Sequence, residues 1–344
     1  MIAPRISICI PTYNMAQFVG LAVQSALDQT CGNFEIVICD NASTDNTSEV
    51  LAQFQDPRIK IIRNPENVGA IRNFNLAIER ASGEWIKFLE ADDLLSPTCL
   101  EKCVQMIERD LEVDVVSVGR TRIYEDGTPF LREVHWETEI ASGTTVRRRV
   151  HIRHNEFGTP TDVMARKELL VSVGGFDTDY GTYLNDWDLW LRCQDQARKV
   201  AFVAESLVKV RSHGGQIGAT GAKSNTDIDV LYKMLEKRWK EYPVLSELGR
   251  QGLYLRLRLG VPYVYRGLRQ VMRHKIGGSI SQWDTFQRLY RHLGAMNLFV
   301  LIVWALIYYP FFPYLNNRIT NLQRVSVAGL SQPRSETPTN GGKF

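Results

Sequence analysis

Ile6-Ser-Ile-Cys-Ile-Pro-Thr-Tyr-Asn14, Glu35-Ile-Val-Ile-Cys-Asp40-Asn-Ala-Ser-Thr-Asp45 and Trp85-Ile-Lys-Phe-Leu-Glu90-Ala-Asp92-Asp93 decide how this chain folds. Each is an apolar run that ends abruptly in a polar cluster. The runs are continuous instead of alternating, as expected for strands covered on both faces. Ile59–Ile62 and Val113–Val118 repeat the signature. Between them, Phe18/Leu21/Ser25 and Ile71/Phe74/Ile78/Ala81 recur at helical spacing. Asn46-Thr-Ser-Glu49 has the form of a capping box, and Ser96-Pro97 sets proline at a helix's first position. Strand–helix repetition of this kind predicts a doubly wound, mostly parallel α/β sheet with helices on both faces.

Beyond Gly119 the pattern loosens. Tyr124–Thr128 reads as a hairpin turn with Phe130–Trp136 as the returning strand, and 141–160 as loop plus a short helix. Asp162–Ala165 reads as a strand, followed by a helix to Val173 that Gly174-Gly175 stops. A helix over Asp186–Gln196, short strands at Val200–Val203 and Leu207–Val210, and a helix over 227–240 complete the pattern. The expected division is a catalytic domain over 1–225, a basic then apolar helical extension over 226–317, and a disordered tail over 318–344.

The 344 residues are 44% hydrophobic and 23% charged, ordinary values for a globular protein. A net charge of +3 conceals an asymmetry, because residues 250–292 hold nine Arg or Lys against the single acid Asp284. Nucleic acid is a poor partner for this segment, whose Arg residues interleave with Leu, Tyr and Val. They lead into the uncharged stretch 293–317, so a membrane surface explains both features together. Leu293–Leu315 is long enough to span a bilayer, but Pro310 and Pro313 favour a hairpin or monotopic insertion at least as much. A C-terminal core helix is the plain alternative. No signal sequence precedes the first strand and no Cys-x-x-Cys pair occurs among the six cysteines. The expectation is buried thiols and an active site on the cytoplasmic side of the plasma (inner) membrane, peripheral or monotopic.

Carboxylates just past parallel strand ends can hold a nucleotide and a hard divalent metal. A dinucleotide oxidoreductase is disfavoured, since no Gly-x-Gly-x-x-Gly follows the first strand. Taken singly, Asp40 also fits the lesser reading of a helix cap.

Pro11-Thr-Tyr-Asn14, Cys39–Asp45, Asn67-Val-Gly69-Ala-Ile-Arg72-Asn73 and Phe88–Asp93 together resemble the family 2 glycosyltransferases of GT-A fold. So do Gly174-Gly-Phe-Asp177, Asn185-Asp186-Trp-Asp-Leu-Trp190 and Arg211-Ser-His213. The resemblance covers residues 4–215, with the motifs in the family's order. It implies inverting transfer of a sugar from a nucleotide-diphosphate donor, a UDP- or dTDP-sugar first, to an acceptor hydroxyl. The acceptor implied by a membrane location is a lipid-linked or surface-polysaccharide precursor.

By that resemblance Pro11, Thr12 and Tyr13 line the base pocket, Asp40 holds base or ribose, and Arg72, Glu90 and Ala91 contact the nucleotide. Asp92 is the ligand of Mn²⁺ or Mg²⁺, His213 approaches the metal or diphosphate, and Asp186 is the general base. Asp177 and Trp187 are candidate acceptor contacts. Two positions depart from the family's pattern: Glu90 stands where Asp is usual, and Asn185 where Glu is common. Trp187 and Trp190 serve equally as core residues, and His213 as a loop histidine held by backbone. His135, His151, His154, His274 and His292 show no ligand spacing. A nucleotidyltransferase of similar fold and a non-catalytic nucleotide-sugar-binding scaffold are the rival readings. Donor sugar, acceptor, linkage and oligomeric state are not encoded legibly.

Overall fold

The computed structural model describes residues 5–135, 137–143, 145–146, 157–180 and 184–214, together with Lys233, Met234, Lys237 and 323–325. Of the expected helix at 227–240 only Lys233, Met234 and Lys237 are described, all three helical, and the basic and apolar segment and most of the tail lie outside the described residues. Among the described residues no helix is long and apolar enough to cross a membrane.

The strands are β1 (Ile6–Thr12), β2 (Phe34–Asp40), β3 (Ile59–Arg63), β4 (Trp85–Phe88), β5 (Leu94–Leu95) and β6 (Val113–Ile123). They continue with β7 (Pro129–Val134), β8 (Glu139–Ser142), β9 (Val163–Arg166), β10 (Lys199–Arg211) and β11 (Gln323–Val325). The helices are α1 (Val19–Leu27), α2 (Thr47–Leu51), α3 (Ala70–Arg80), α4 (Cys99–Arg109), α5 (Lys167–Ser172) and α6 (Asn185–Gln196). The sheet runs β11-β7-β6-β9-β4-β1-β2-β3, with β10 beside β6 and β5 and β8 attached to β10. β4, β1, β2 and β3 are mutually parallel, and β10 is parallel to β6. β9 is antiparallel to both its neighbours, so β6 points the same way as β4. The result is a mixed, mostly parallel sheet of the GT-A kind.

Side-chain alternation on the buried strands divides the core in two. Ile6, Ile8, Ile10, Ile36 and Ile38 pack with Val19, Ala22, Val23 and Ala26 of α1 and with Leu100, Cys103 and Ile107 of α4. Cys9, Val37 and Cys39 face the other way, against Ala77 and Ile78 of α3, Leu170 of α5, and Leu189, Trp190 and Cys193 of α6. All six cysteines are free thiols.

Several local expectations need correction. Leu21 is 55% exposed, because the buried stripe of α1 is Val19/Ala22/Val23/Ala26 and not Leu21 with Ser25. Asn46 makes no side-chain cap. Asp45 takes that work, its Oδ1 accepting from Thr47 N at 3.0 Å and from Thr47 Oγ1 at 2.5 Å. α4 starts at Cys99, so Pro97 precedes the helix. Val200–Val203 and Leu207–Val210 belong to one strand, β10, irregular in register around Ser206. β8 occupies part of the stretch read as loop. Gly174 and Gly175 stop α5 as expected, both with positive φ, 83° and 66°. Gln323–Val325, within the tail read as disordered, pairs antiparallel with β7.

Candidate active site

The strand ends of β1, β2, β4, β6 and β10 meet along one edge of the sheet, around a cavity of about 930 Å³. From β1 come Pro11, Thr12 and Tyr13. Thr12 is 3% exposed, and its Oγ1 has no hydrogen-bond partner among the described residues. Tyr13 stands at the rim, 40% exposed.

Below this wall four asparagines are wired together. Asn41 Nδ2 donates to Asn67 Oδ1 at 2.7 Å, Asn64 Nδ2 to Asn41 Oδ1 at 2.9 Å and to Asn73 Oδ1 at 3.0 Å, and Asn73 Nδ2 to the Cys39 carbonyl at 2.8 Å. Asn67 Oδ1 also accepts from Gly69 N at 2.9 Å. Gly69 has φ 84° and ψ 155°, a conformation open in practice to glycine alone, which lets α3 begin at the cavity wall. The network fixes the β2 and β3 ends around the start of α3.

Asp40 is 1% exposed and is not among the residues that line the cavity. Its Oδ1 accepts from Ser43 N at 3.0 Å, and its Oδ2 from Arg63 Nη1 at 2.7 Å and Ser48 Oγ at 3.1 Å. Arg72 also lies outside the lining, on the outer face of α3, paired with Glu79 at 3.1 Å.

The turn after β4 presents Glu90, Ala91, Asp92 and Asp93 to the cavity. Thr161, in the 3-10 turn Pro160–Asp162, holds this turn. Its buried hydroxyl donates to Asp93 Oδ2 at 2.7 Å and accepts from Glu90 N at 3.0 Å. Lys87, fully buried on β4, donates to the Thr161 carbonyl at 2.6 Å from below. Asp162 in turn pairs with Arg120, which shares Glu133 with Arg122.

β10 closes the site. Arg211 donates from its backbone N to Asp93 Oδ1 at 2.9 Å and from Nε to the Asp92 carbonyl at 2.9 Å. Two residues on, His213 Nε2 lies 3.1 Å from Asp92 Oδ2. Phe18 supports both, with its ring 5.2 Å from that of His213 and 4.8 Å from the Arg211 guanidinium.

Opposite stands Asp186, at the first turn of α6. Burial pushes its carboxyl up to about 6, against the lowering effect of backbone N–H groups at the helix start. Burial and the neighbouring Asp93, Asp92, Asp186 and Asp162 carboxylates hold Glu90 well above the usual carboxylate range. Asp93 is raised by burial and by Asp92. Among the described residues no cluster of three or more His, Cys, Asp or Glu side chains is arranged as a metal cage. Asp92 with His213 is a two-donor arrangement instead.

The cavity thus gathers Pro11, Thr12, Tyr13, Glu90, Ala91, Asp92, Asp186 and His213, and leaves out Asp40, Arg72, Asp177 and Trp187. Asp177 Oδ2 accepts from Lys237 Nζ at 2.7 Å, and Trp187 is 8% exposed, packed into the protein. Thr161, Arg122 and the asparagine set went unassigned in the sequence. The Thr159-x-x-Asp162 capping pattern was the available signal for Thr161.

The glycosyl transferase family 2 model matches residues 7–174. The putative glycosyltransferase EpsE of Bacillus subtilis is 30% identical over 60% of this chain and 73% of its own length. The putative teichuronic acid biosynthesis glycosyltransferase TuaG of the same organism is 36% identical over 38% of this chain and 53% of its own. Among solved structures, S. aureus TarS in complex with UDP-GlcNAc superposes with a TM-score of 0.61 at 15% identity, covering 92% of this chain and 89% of that one. The mannosyltransferase PcManGT of Pyrobaculum calidifontis, in complex with GDP-Man and Mn²⁺, gives 0.54 at 17% identity over 93% and 84%. Strand-end motifs, sheet order and matched sequence agree, and the chain belongs to glycosyltransferase family 2.

Proposed function

We propose that this glycosyltransferase moves a sugar from a UDP- or dTDP-sugar to an acceptor hydroxyl by a single, inverting displacement. The observation that carries the reading is Asp186. It faces the same cavity as the Asp92–His213 pair, with its carboxyl raised to about 6. A carboxylate of that basicity is matched to taking a proton near neutral pH.

Pro11, Thr12 and Tyr13 receive the base in this reading, the orphaned Thr12 hydroxyl finding its partner there. The oxygen of Asp92 would suit Mn²⁺ or Mg²⁺ and the imidazole of His213 favours Mn²⁺ of the two, and few protein ligands are needed when diphosphate oxygens fill the other positions. Such a metal, when bound, neutralises charge on the departing diphosphate. Asp186 takes the acceptor's proton as its oxygen approaches the anomeric carbon from the opposite side. One catalytic carboxylate suffices, because no glycosyl-enzyme intermediate forms. Glu90 reaches the donor ribose with an arm one methylene longer than Asp. The acceptor class proposed is a lipid-linked or surface-polysaccharide precursor, with residues 250–317 at the cytoplasmic membrane face. The basic-then-apolar composition of that segment and the likeness to TuaG support it.

The test is a panel of UDP-, dTDP- and GDP-sugars with Mn²⁺ or EDTA, reading free nucleoside diphosphate. Metal-dependent release from one donor, reduced in Asp92→Ala and Asp186→Asn, is expected. Pyrophosphate release would indicate a nucleotidyltransferase. Donor binding without turnover would indicate a scaffold.

A further inference from the structure

The turn joining β6 to β7 rises from the same sheet edge as the β4 turn, because β6 points the same way as β4. It borders a shallow, open depression of about 650 Å³, lined by Tyr124, Glu125, Asp126, Ser212, His213 and Gly214. Ser212 and His213 also line the main cavity, so the two spaces adjoin.

This turn is held firmly. Tyr124 N donates to the Thr128 carbonyl at 2.8 Å, Gly127 N to the Tyr124 carbonyl at 3.0 Å, and Thr128 N to Asp126 Oδ1 at 2.8 Å. Arg211 Nη1 donates to the carbonyls of Tyr124 at 3.3 Å and Glu125 at 2.7 Å. The same guanidinium holds the Asp92 carbonyl, so one residue sets the hairpin's position relative to the Asp92–His213 pair.

Tyr124 is 53% exposed, yet one face of its ring stacks on Phe130 at 4.4 Å between centroids and 28° between planes. A stacked pair that keeps a ring surface open to a depression is a fixed apolar platform beside the reaction centre. Two carboxylates adjoin it. Asp126 stays ionised, since the Thr128 backbone N–H holds its carboxyl below the usual range.

We propose that this depression is a distal acceptor subsite, where an uncharged pyranose unit at least one residue removed from the attacking hydroxyl lies on Tyr124 and its hydroxyls donate to Glu125 and Asp126. The inference rests on the transferase reading above and narrows it. The C–H face of a pyranose suits an aromatic ring, and its hydroxyls suit carboxylate acceptors. A uronate or phosphate group at the same place meets two like charges, offset only in part by the buried Arg211 guanidinium.

The experiment measures binding of cellotetraose, N-acetylchitotetraose and tetragalacturonate to the full chain in mild detergent with saturating UDP, by calorimetry and saturation-transfer NMR. UDP affinity is titrated on the same samples. Wild type is expected to bind a neutral tetrasaccharide and to bind tetragalacturonate more weakly. Tyr124→Ala should weaken the neutral probe about tenfold, Tyr124→Phe should retain it, and neither should alter UDP affinity. Absence of neutral-probe binding, preference for tetragalacturonate, indifference to Tyr124→Ala, or loss of UDP affinity in that variant overturns the proposal. Failure of wild type to bind UDP at all counts against the donor reading separately.

Discussion

His213 Nε2 sits 3.1 Å from Asp92 Oδ2, across 121 positions of sequence, joining the end of β10 to the turn after β4. Both side chains are largely buried, 9% and 13% exposed. A carboxylate oxygen and an imidazole nitrogen this close can turn toward one cation. Calorimetric titration of Mn²⁺ in the presence of UDP should therefore show tight binding in wild type. Weakening of about 10-fold or more is expected in His213→Ala, and a greater loss in Asp92→Ala. Without UDP, affinity should be low in all three, since two protein donors leave most positions to the diphosphate.

Asp186 predicts opposite effects on rate and stability. As a base it must be ionised, so kcat should rise with pH through about 6 and then level. Asp186→Asn should lower kcat by about 10²- to 10⁴-fold. The folded protein holds the Asp186 proton more tightly than the unfolded chain does. Stability therefore falls as pH rises from about 4 to about 6, and the full cost persists above that range. Asp186→Asn removes this cost. Its Tm should exceed wild type at pH 7.5 by an amount worth on the order of 1–3 kcal/mol, and the difference should vanish near pH 4.

Thr161 is a structural counterpart with no direct chemistry. Thr161→Val deletes the hydroxyl between Asp93 Oδ2 and Glu90 N and leaves both groups without that partner. Denaturant unfolding should show a loss of about 1–3 kcal/mol. Metal affinity should fall with it, since the turn carrying Asp92 is then held at fewer points.

The central sheet was legible because Ile6–Ile10 and Glu35–Cys39 are continuous apolar runs, and burial on both faces leaves little other choice. The polar clusters at their ends were legible for the same reason, as sharp breaks in that pattern. α1 was misread because Phe18 and Leu21 outweigh Ala22 and Ala26 in hydrophobicity, while tight helix–sheet packing selects the small residues. β10 looked like two strands because Ala204-Glu-Ser206 interrupts its apolar run where its pairing with β6 shifts. The capping pattern around Thr161 was legible but its role was not, since its partners lie 71 and 68 positions away, in a polar stretch without periodicity. The aromatic platform at Tyr124 needed the hairpin's register before Phe130 could be placed beside it.

The central claim is a single displacement with Asp186 as base, and the stereochemistry of the first product tests it most directly. Proton NMR recorded at early times on an α-linked donor, with water or an oligosaccharide as acceptor, distinguishes the new anomer before mutarotation. The account predicts a β-configured product, formed far more slowly by Asp186→Asn. An α-configured first product, or an Asp186→Asn variant as fast as wild type, would contradict it.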